Sequence, residues 1–217
     1  MQRRVQRHRL TRALGAGLAG AALVGGALAI TWPRTPDEGS PEVTFARDMS
    51  AHHAQAVEMS LTLLKRSADP AVKLLAQDIL LTQQAQIGQM QGWLMAWGRS
   101  LAGPGAPMAG MDPVSMGLAT PLEVQQLAHL PTGEAETQYL KLMRRHHRGG
   151  VMMAESSLKG VNRPEVQAFA RRVVTSQTSE IEAIDALLGK RGGSSPASST
   201  PPKEAAAETH REGMPHE

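Results

Sequence analysis

The chain contains no cysteine. That absence excludes disulfide staples, thiolate metal centres and thiol nucleophiles together. It also suits an oxidising compartment, where a stray thiol is a liability. Aromatic residues make up only 3% of the composition, too few for the stacking platforms that hold single-stranded nucleic acids. Acidic residues are missing from the first dozen positions, which instead carry Arg3, Arg4, Arg7, Arg9 and Arg12. Those five account for much of the high pI, near 9.6. With them set aside, 18 basic residues face 20 acidic ones, so the rest of the chain is slightly acidic and no nucleic-acid partner is expected. Neither a phosphate-cradling glycine loop nor a nucleophile–base motif occurs, and no catalytic residue is assigned.

What is present begins with an uncharged run from Leu14 to Ile30 behind the basic start. This is the pattern of a secretory signal or an N-terminal membrane anchor, placed at residues 1–31. The run spans roughly 26 Å as a helix, marginal for a bilayer core of about 30 Å. Ala27-Leu28-Ala29 offers a small-residue cleavage site, and cleavage and anchoring both remain open. Either way the remainder is expected outside the cytoplasm. Residues 32–40 read as a linker. Ser40-Pro41, Asp69-Pro70, Thr120-Pro121 and the Asn162/Pro164 pair are helix starts, because a capping side chain followed by proline suits the first turn. They predict helices over about 41–66, 70–97, 121–130 and 164–188, with a further one from 132 or 133 to about 159. Loop 98–131, which carries Met108, Met111 and Met116, joins the halves 41–97 and 132–190. From 191 to 217 the Ser/Pro-rich composition predicts a disordered tail.

The two halves are copies. Shifting the chain by 94 positions superposes Met49 on Met143, His52 on His146, His53 on His147 and Met59 on Met153. Pro70 falls on Pro164, Val72 on Val166, Gln83 on Gln177 and Ile87 on Ile181. Each copy is a helical hairpin with one apolar face, which cannot stay buried alone. Two such hairpins pack as an all-α four-helix bundle.

At 100° per residue, Met49, His52, His53, Ala56, Met59 and Leu63 lie within an arc of about 120°, and Leu63 marks that arc as the buried face. The second copy repeats it with Met143, His146, His147, Gly150 and Met153. The candidate metal ligands are therefore Met49, His52, His53, Met59, Met143, His146, His147 and Met153. Imidazole serves many metals, but thioether favours Cu(I), and Ag(I) by the same softness. A methionine stripe on its own is commonly core filler. Four buried imidazoles without a ligand would each need a satisfied hydrogen-bond network. The competing reading is a structural or partner-binding bundle without metal. A di-iron carboxylate centre needs Glu-x-x-His twice and two further Glu. Here Met stands in the Glu position, and the return helices offer Gln86 and Glu180. Gln86, Met90 and Glu180 are auxiliary candidates near the ligands. The loop methionines could recruit metal or could be loop filler. The tail residues His210, Met214 and His216 are solvated rather than ligating.

The stretches Asp48-Met49-Ser50-Ala51-His52-His53-Ala54-Gln55-Ala56-Val57-Glu58-Met59 and Met143-Arg144-Arg145-His146-His147-Arg148-Gly149-Gly150-Val151-Met152-Met153-Ala154 resemble the DUF305 family of exported bacterial proteins. Gln83-x-x-Gln86-Ile87 and Gln177-x-x-Glu180-Ile181 add to the resemblance, which covers about 42–190. It implies a ferritin-like four-helix bundle and, from members linked to copper tolerance, extracytoplasmic copper handling. Gln86 departs from the family's usual Glu and Gly150 from its usual Ala. The expected partners are a metal ion and, in its handling, a metallochaperone partner or a second copy of the chain, with membrane contact through an uncleaved N-terminus.

Overall fold

The computed structural model describes residues 34–192, and the signal or anchor segment and the tail beyond 192 lie outside them. Among the described residues are five helices: α1 (Pro41–Leu64), α2 (Pro70–Ala96), α3 (Pro121–Leu127), α4 (Thr132–Ser157) and α5 (Pro164–Gly192). The four long ones form the bundle. Each hairpin, α1–α2 and α4–α5, packs on itself, and the hairpins meet chiefly through α1 and α4, with α3 lying against both. Among the described residues no helix is long and apolar enough to cross a membrane.

Local chemistry sets the helix starts. The side chain of Ser40 accepts from Val43 N, and that of Asp69 accepts from Ala71 N and Val72 N, each ahead of a proline in the first turn. Thr120 and Glu123 form a reciprocal capping box at α3, which satisfies donors that a helix start otherwise leaves open. α1 and α4 stop at Leu64 and Ser157, short of the expected 66 and 159, and α3 stops at Leu127 rather than 130. α5 runs on to Gly192, past the expected end at 188 and into the segment read as tail from 191. The cause is Arg191, whose guanidinium reaches Asp69 (2.6 Å) in the turn of the opposite hairpin and Glu136 (2.9 Å) at the start of α4, and so ties down the last turn.

The hairpins interlock through two buried glutamates related by the same 94-residue shift. Glu42, at the start of α1, accepts from Asn162 N at 2.7 Å in the α4–α5 turn. Glu136, at the start of α4, accepts from Ala68 N (2.8 Å), Asp69 N (3.0 Å) and Ser67 Oγ (2.7 Å) in the α1–α2 turn. Each first helix thus caps the turn of the other hairpin. A buried carboxylate is tolerable there because backbone donors surround it.

The core is divided. One apolar cluster holds Phe45, Met49, Met90, Leu94, Trp97, Met153 and Phe169. The other holds Met59, Leu63, Ile79, Leu127, Tyr139, Met143 and Ile184. In sequence, His52 and His53 fall between Met49 and Met59, and His146 and His147 between Met143 and Met153, so the four imidazoles form a polar layer between the clusters.

Removing Glu136 takes the acceptor from Ala68 N, Asp69 N and Ser67 Oγ and one of two carboxylates from Arg191, whereas removing Glu42 takes it from Asn162 N alone. Glu136→Ala should lower the unfolding free energy by about 3 kcal/mol and Glu42→Ala by about 1–2 kcal/mol, since each orphaned buried donor carries a desolvation cost. Urea denaturation of the two variants checks the order, and equal losses would show that the α1–α2 turn does not depend on Glu136.

Candidate metal centre

His52 and His53 are consecutive on α1, and His146 and His147 consecutive on α4. All four rings are completely buried. The rings of His52 and His146 face one another across the bundle with centroids 3.8 Å apart, while within each pair the centroids are 6.3 and 6.1 Å apart. The layer therefore has a central facing pair, its rings tilted by 31°, and one outer ring on either side.

Each Nε2 has an acceptor. His53 Nε2 lies 2.7 Å from Gln86 Oε1 and His147 Nε2 lies 2.5 Å from Glu180 Oε2, both partners standing 33 residues further along on the return helix. His146 Nε2 lies 3.0 Å from the carbonyl of His52. His52 breaks the pattern: its Nε2 lies 3.0 Å from the carbonyl of Met116, in the loop that joins the hairpins. A carbonyl or a carboxylate can only accept, so these nitrogens carry the protons and donate. That choice leaves Nδ1 as a lone pair in each ring. The four Nδ1 atoms are buried, and no protein group is bonded to any of them.

The loop reaches His52 because small residues let it in. Gly117 has φ +73°, and a Cβ there would collide with the carbonyl of Arg145. A Cβ on Gly149 would occupy the place of the Met116 carbonyl. Gly149 therefore gives room to the acceptor of His52, although it sits inside a helix where glycine costs about 1 kcal/mol relative to alanine. At Gly150 the missing side chain makes room for the Gln177 amide. Gln55 clamps the far end of the loop by bonding both Ala119 N (2.7 Å) and Ala119 O (2.8 Å).

The four methionines do not form one shell. Met49 and Met153 sit in one apolar cluster, and Met59 and Met143 in the other, so thioethers flank the imidazole layer in pairs. The eight candidate ligands are thus ordered in layers, with thioethers on either side of the imidazoles. This order follows from the antiparallel course of α1 and α4, which sets the first methionine of one copy beside the second of the other. Met90 is buried with Met49. Among the described residues no three His, Asp or Glu side chains gather closely enough to hold an ion by themselves. The sequence reading missed the Met116 carbonyl and the buried amides of Gln83 and Gln177, whose side-chain atoms are bonded to no protein group. The match between Gln83 and Gln177 under the 94-residue shift was the available signal for the amides. Nothing in the sequence signals the carbonyl.

Burial governs the titration of His52, His53 and His146. It pushes His52 down from 6.5 to about 4 and His53 to about 3, and it holds His146 well below 6.5. Neighbouring imidazoles add to each shift. The same burial raises the carboxyl of Asp48, one turn before His52.

An all-α four-helix bundle with a buried layer of paired imidazoles is the class of protein these features define. The chain belongs to the DUF305 family, a domain of unknown function, whose family model matches residues 42–188. A protein of Streptomyces coelicolor described as a secreted DUF305 protein is 43% identical with a TM-score of 0.66, over 70% of this chain and 94% of that one. A DUF305 fragment of Deinococcus radiodurans is 39% identical with a TM-score of 0.64, over 71% and 99%. CopM in its Cu(I)-bound form shares the fold at 24% identity and a TM-score of 0.58, over 71% and 99%. The chain also spans 33% of an uncharacterised protein of Acanthamoeba polyphaga mimivirus, with 38% identity over 50 residues.

The depressed histidines make the folded protein acid-sensitive. The unfolded chain takes up these protons near pH 6.5, and the folded chain refuses them until well below, so stability falls as pH falls through that window. At about pH 5 the loss should reach roughly 2 kcal/mol for each of His52 and His53. Urea midpoints between about pH 8 and pH 4 measure it. A flat profile would mean that the imidazoles are solvated.

Proposed function

We propose that the chain is an extracytoplasmic binder of a soft monovalent cation, Cu(I) first and Ag(I) by the same chemistry, for sequestration or delivery. The observation that carries this reading is the set of four bare Nδ1 lone pairs. A buried imidazole normally satisfies both nitrogens, and four that leave the same atom bare on paired helices are poised to donate. Nδ1 atoms of His52, His53, His146 and His147 would take a cation singly or in twos, since no three of these side chains gather at one point, with thioethers of Met49, Met153, Met59 and Met143 supplying the further soft donors above and below. Thioether is a poor partner for zinc and a good one for Cu(I).

Charge supports the same choice. Gln86 is the neutral partner of His53, and Glu180 the anionic partner of His147. One carboxylate against the imidazoles compensates one positive charge. Second partners that orient a ring and fix its tautomer are the usual surroundings of metal-ligating histidine. CopM, which shares this fold, has been captured with Cu(I) and with silver. The basic start, the uncharged run behind it and a relative described as secreted support export, with the N-terminal segment removed or kept as an anchor. The reading is of binding rather than catalysis, since no nucleophile or complete carboxylate set accompanies the imidazoles.

Anaerobic titration of the full chain with Cu(I) against a competing chelator, followed by metal analysis after desalting, tests the proposal. The protein should retain copper, and His52→Ala with His146→Ala should lower its affinity by at least about tenfold, the loss of roughly 1.4 kcal/mol. A folded protein that retains none, with an unchanged melting temperature in copper or silver, would make the layer a structural core and the bundle a partner-binding one.

A further inference from the structure

A cavity of about 540 Å³ lies between the start of α1, the end of α4 and the loop 98–120. Its walls include Met111 and Met116 from the loop, Met152 and Met153 from α4, and Phe45 and Asp48 from α1. Four of its twelve lining residues are methionine, against 12 in 217 for the whole chain. Core packing does not explain them all. Met111 is 42% exposed and Met152 48% exposed, at the rim, whereas Met153 is 8% exposed, at the back. Met116 is intermediate and packs against the same apolar cluster as Met49 and Met153. The thioethers thus run from solvent inward.

They also end in the right place. The carbonyl of Met116 is the acceptor of His52 Nε2, so the residue that forms a wall of the cavity is bonded to the imidazole layer. Met49, clustered with Met153, stands one turn before His52 and His53. The loop that carries these thioethers is fixed by Asp48, whose carboxylate takes the backbone N–H of Met108 at 2.8 Å. That bond holds Met108 in a left-handed conformation, φ 57°. Asp48 lines the cavity as well, and a carboxylate in an apolar cleft concentrates cations there.

We propose that this methionine-lined cavity is the receiving site for the soft monovalent cation, which then moves inward past Met116 and Met153 to the imidazoles. The proposal rests on the reading of the layer as a Cu(I) or Ag(I) centre. Transfer is ligand exchange: each thioether–cation bond breaks as the next forms, and the oxidation state does not change. With no cysteine in the chain, thioether is the soft donor available along the route.

The test is a titration of the full chain, labelled with ¹³C in its methionine methyl groups, with Ag(I), which is stable in air. At the first additions the methyl signals of Met111, Met116, Met152 and Met153 should shift, followed by the imidazole signals. Met111→Leu with Met152→Leu, a volume-conserving change at exposed positions, should slow loading of the imidazoles by at least about tenfold and leave the amount finally retained unchanged. Shifted imidazoles with still cavity methyls would overturn the receiving site while leaving the metal centre intact, and would make the cavity a contact surface for another protein. Shifted methyls with still imidazoles would overturn the inward route and the metal centre with it. Stillness at both would remove both proposals.

Discussion

Four imidazoles lie where the bundle should be driest, and each must put its N–H on an acceptor. That constraint orders the rest of the interior. It draws Gln86 and Glu180 from the return helices to the outer rings. It uses the carbonyl of His52 for His146, and it pulls a loop carbonyl into the bundle for His52 itself. The glycines at 117 and 149 exist in space opened for that last contact. The apolar residues are then left in two clusters, one on each side of the layer. An unpaired polar group at such depth costs roughly 1–3 kcal/mol, so the N–H placements cannot drift independently of one another.

The two hairpins show how a duplicated frame diverges while packing is kept. Tyr139 bonds Ser60 at 2.9 Å. The equivalent positions under the 94-residue shift are Phe45 and Ala154, both apolar and both in the opposite cluster. Loss of the hydroxyl on one partner is matched by loss on the other, which avoids an orphan. The same holds at the turns. Asp69 pairs with Arg191, and the equivalent positions are Arg163 and Trp97, where the guanidinium lies 5.5 Å from the indole centroid. An ion pair on one side is answered by a cation–π contact on the other. In both cases the geometry of the frame persists and the chemistry changes in pairs.

Much of this was legible in the sequence because it depends on short-range rules. Caps followed by proline placed the helix starts, and the helical period put Met49, His52, His53 and Met59 on one buried face. What stayed hidden depends on contacts made across the bundle. Arg191 is an unremarkable basic residue beside a Gly/Ser run until Asp69 and Glu136 stand beside it. The capping role of Glu42 and Glu136 needs the turn of the other hairpin to be in place. The separation of thioethers into two pairs follows from the antiparallel pairing of α1 and α4, which periodicity within one helix does not report. The Met116 carbonyl could not be found from residue type at all, since every residue carries one.

The fixed tautomer links the acid sensitivity of the fold to its proposed use. A proton and a cation compete for the same atom in each ring, Nδ1, because Nε2 is already committed as a donor. Burial disfavours the imidazolium at His52, His53 and His146, so these lone pairs stay free at acidities where a solvated histidine would be charged. The cost is borne by the folded state, which gives up stability as the medium acidifies. A cation that binds the native layer and not the unfolded chain returns that stability in proportion to the logarithm of its concentration over its dissociation constant. The interior is therefore least satisfied at these four Nδ1 atoms, and the group of residues that weakens it is the group that would gain most from a ligand.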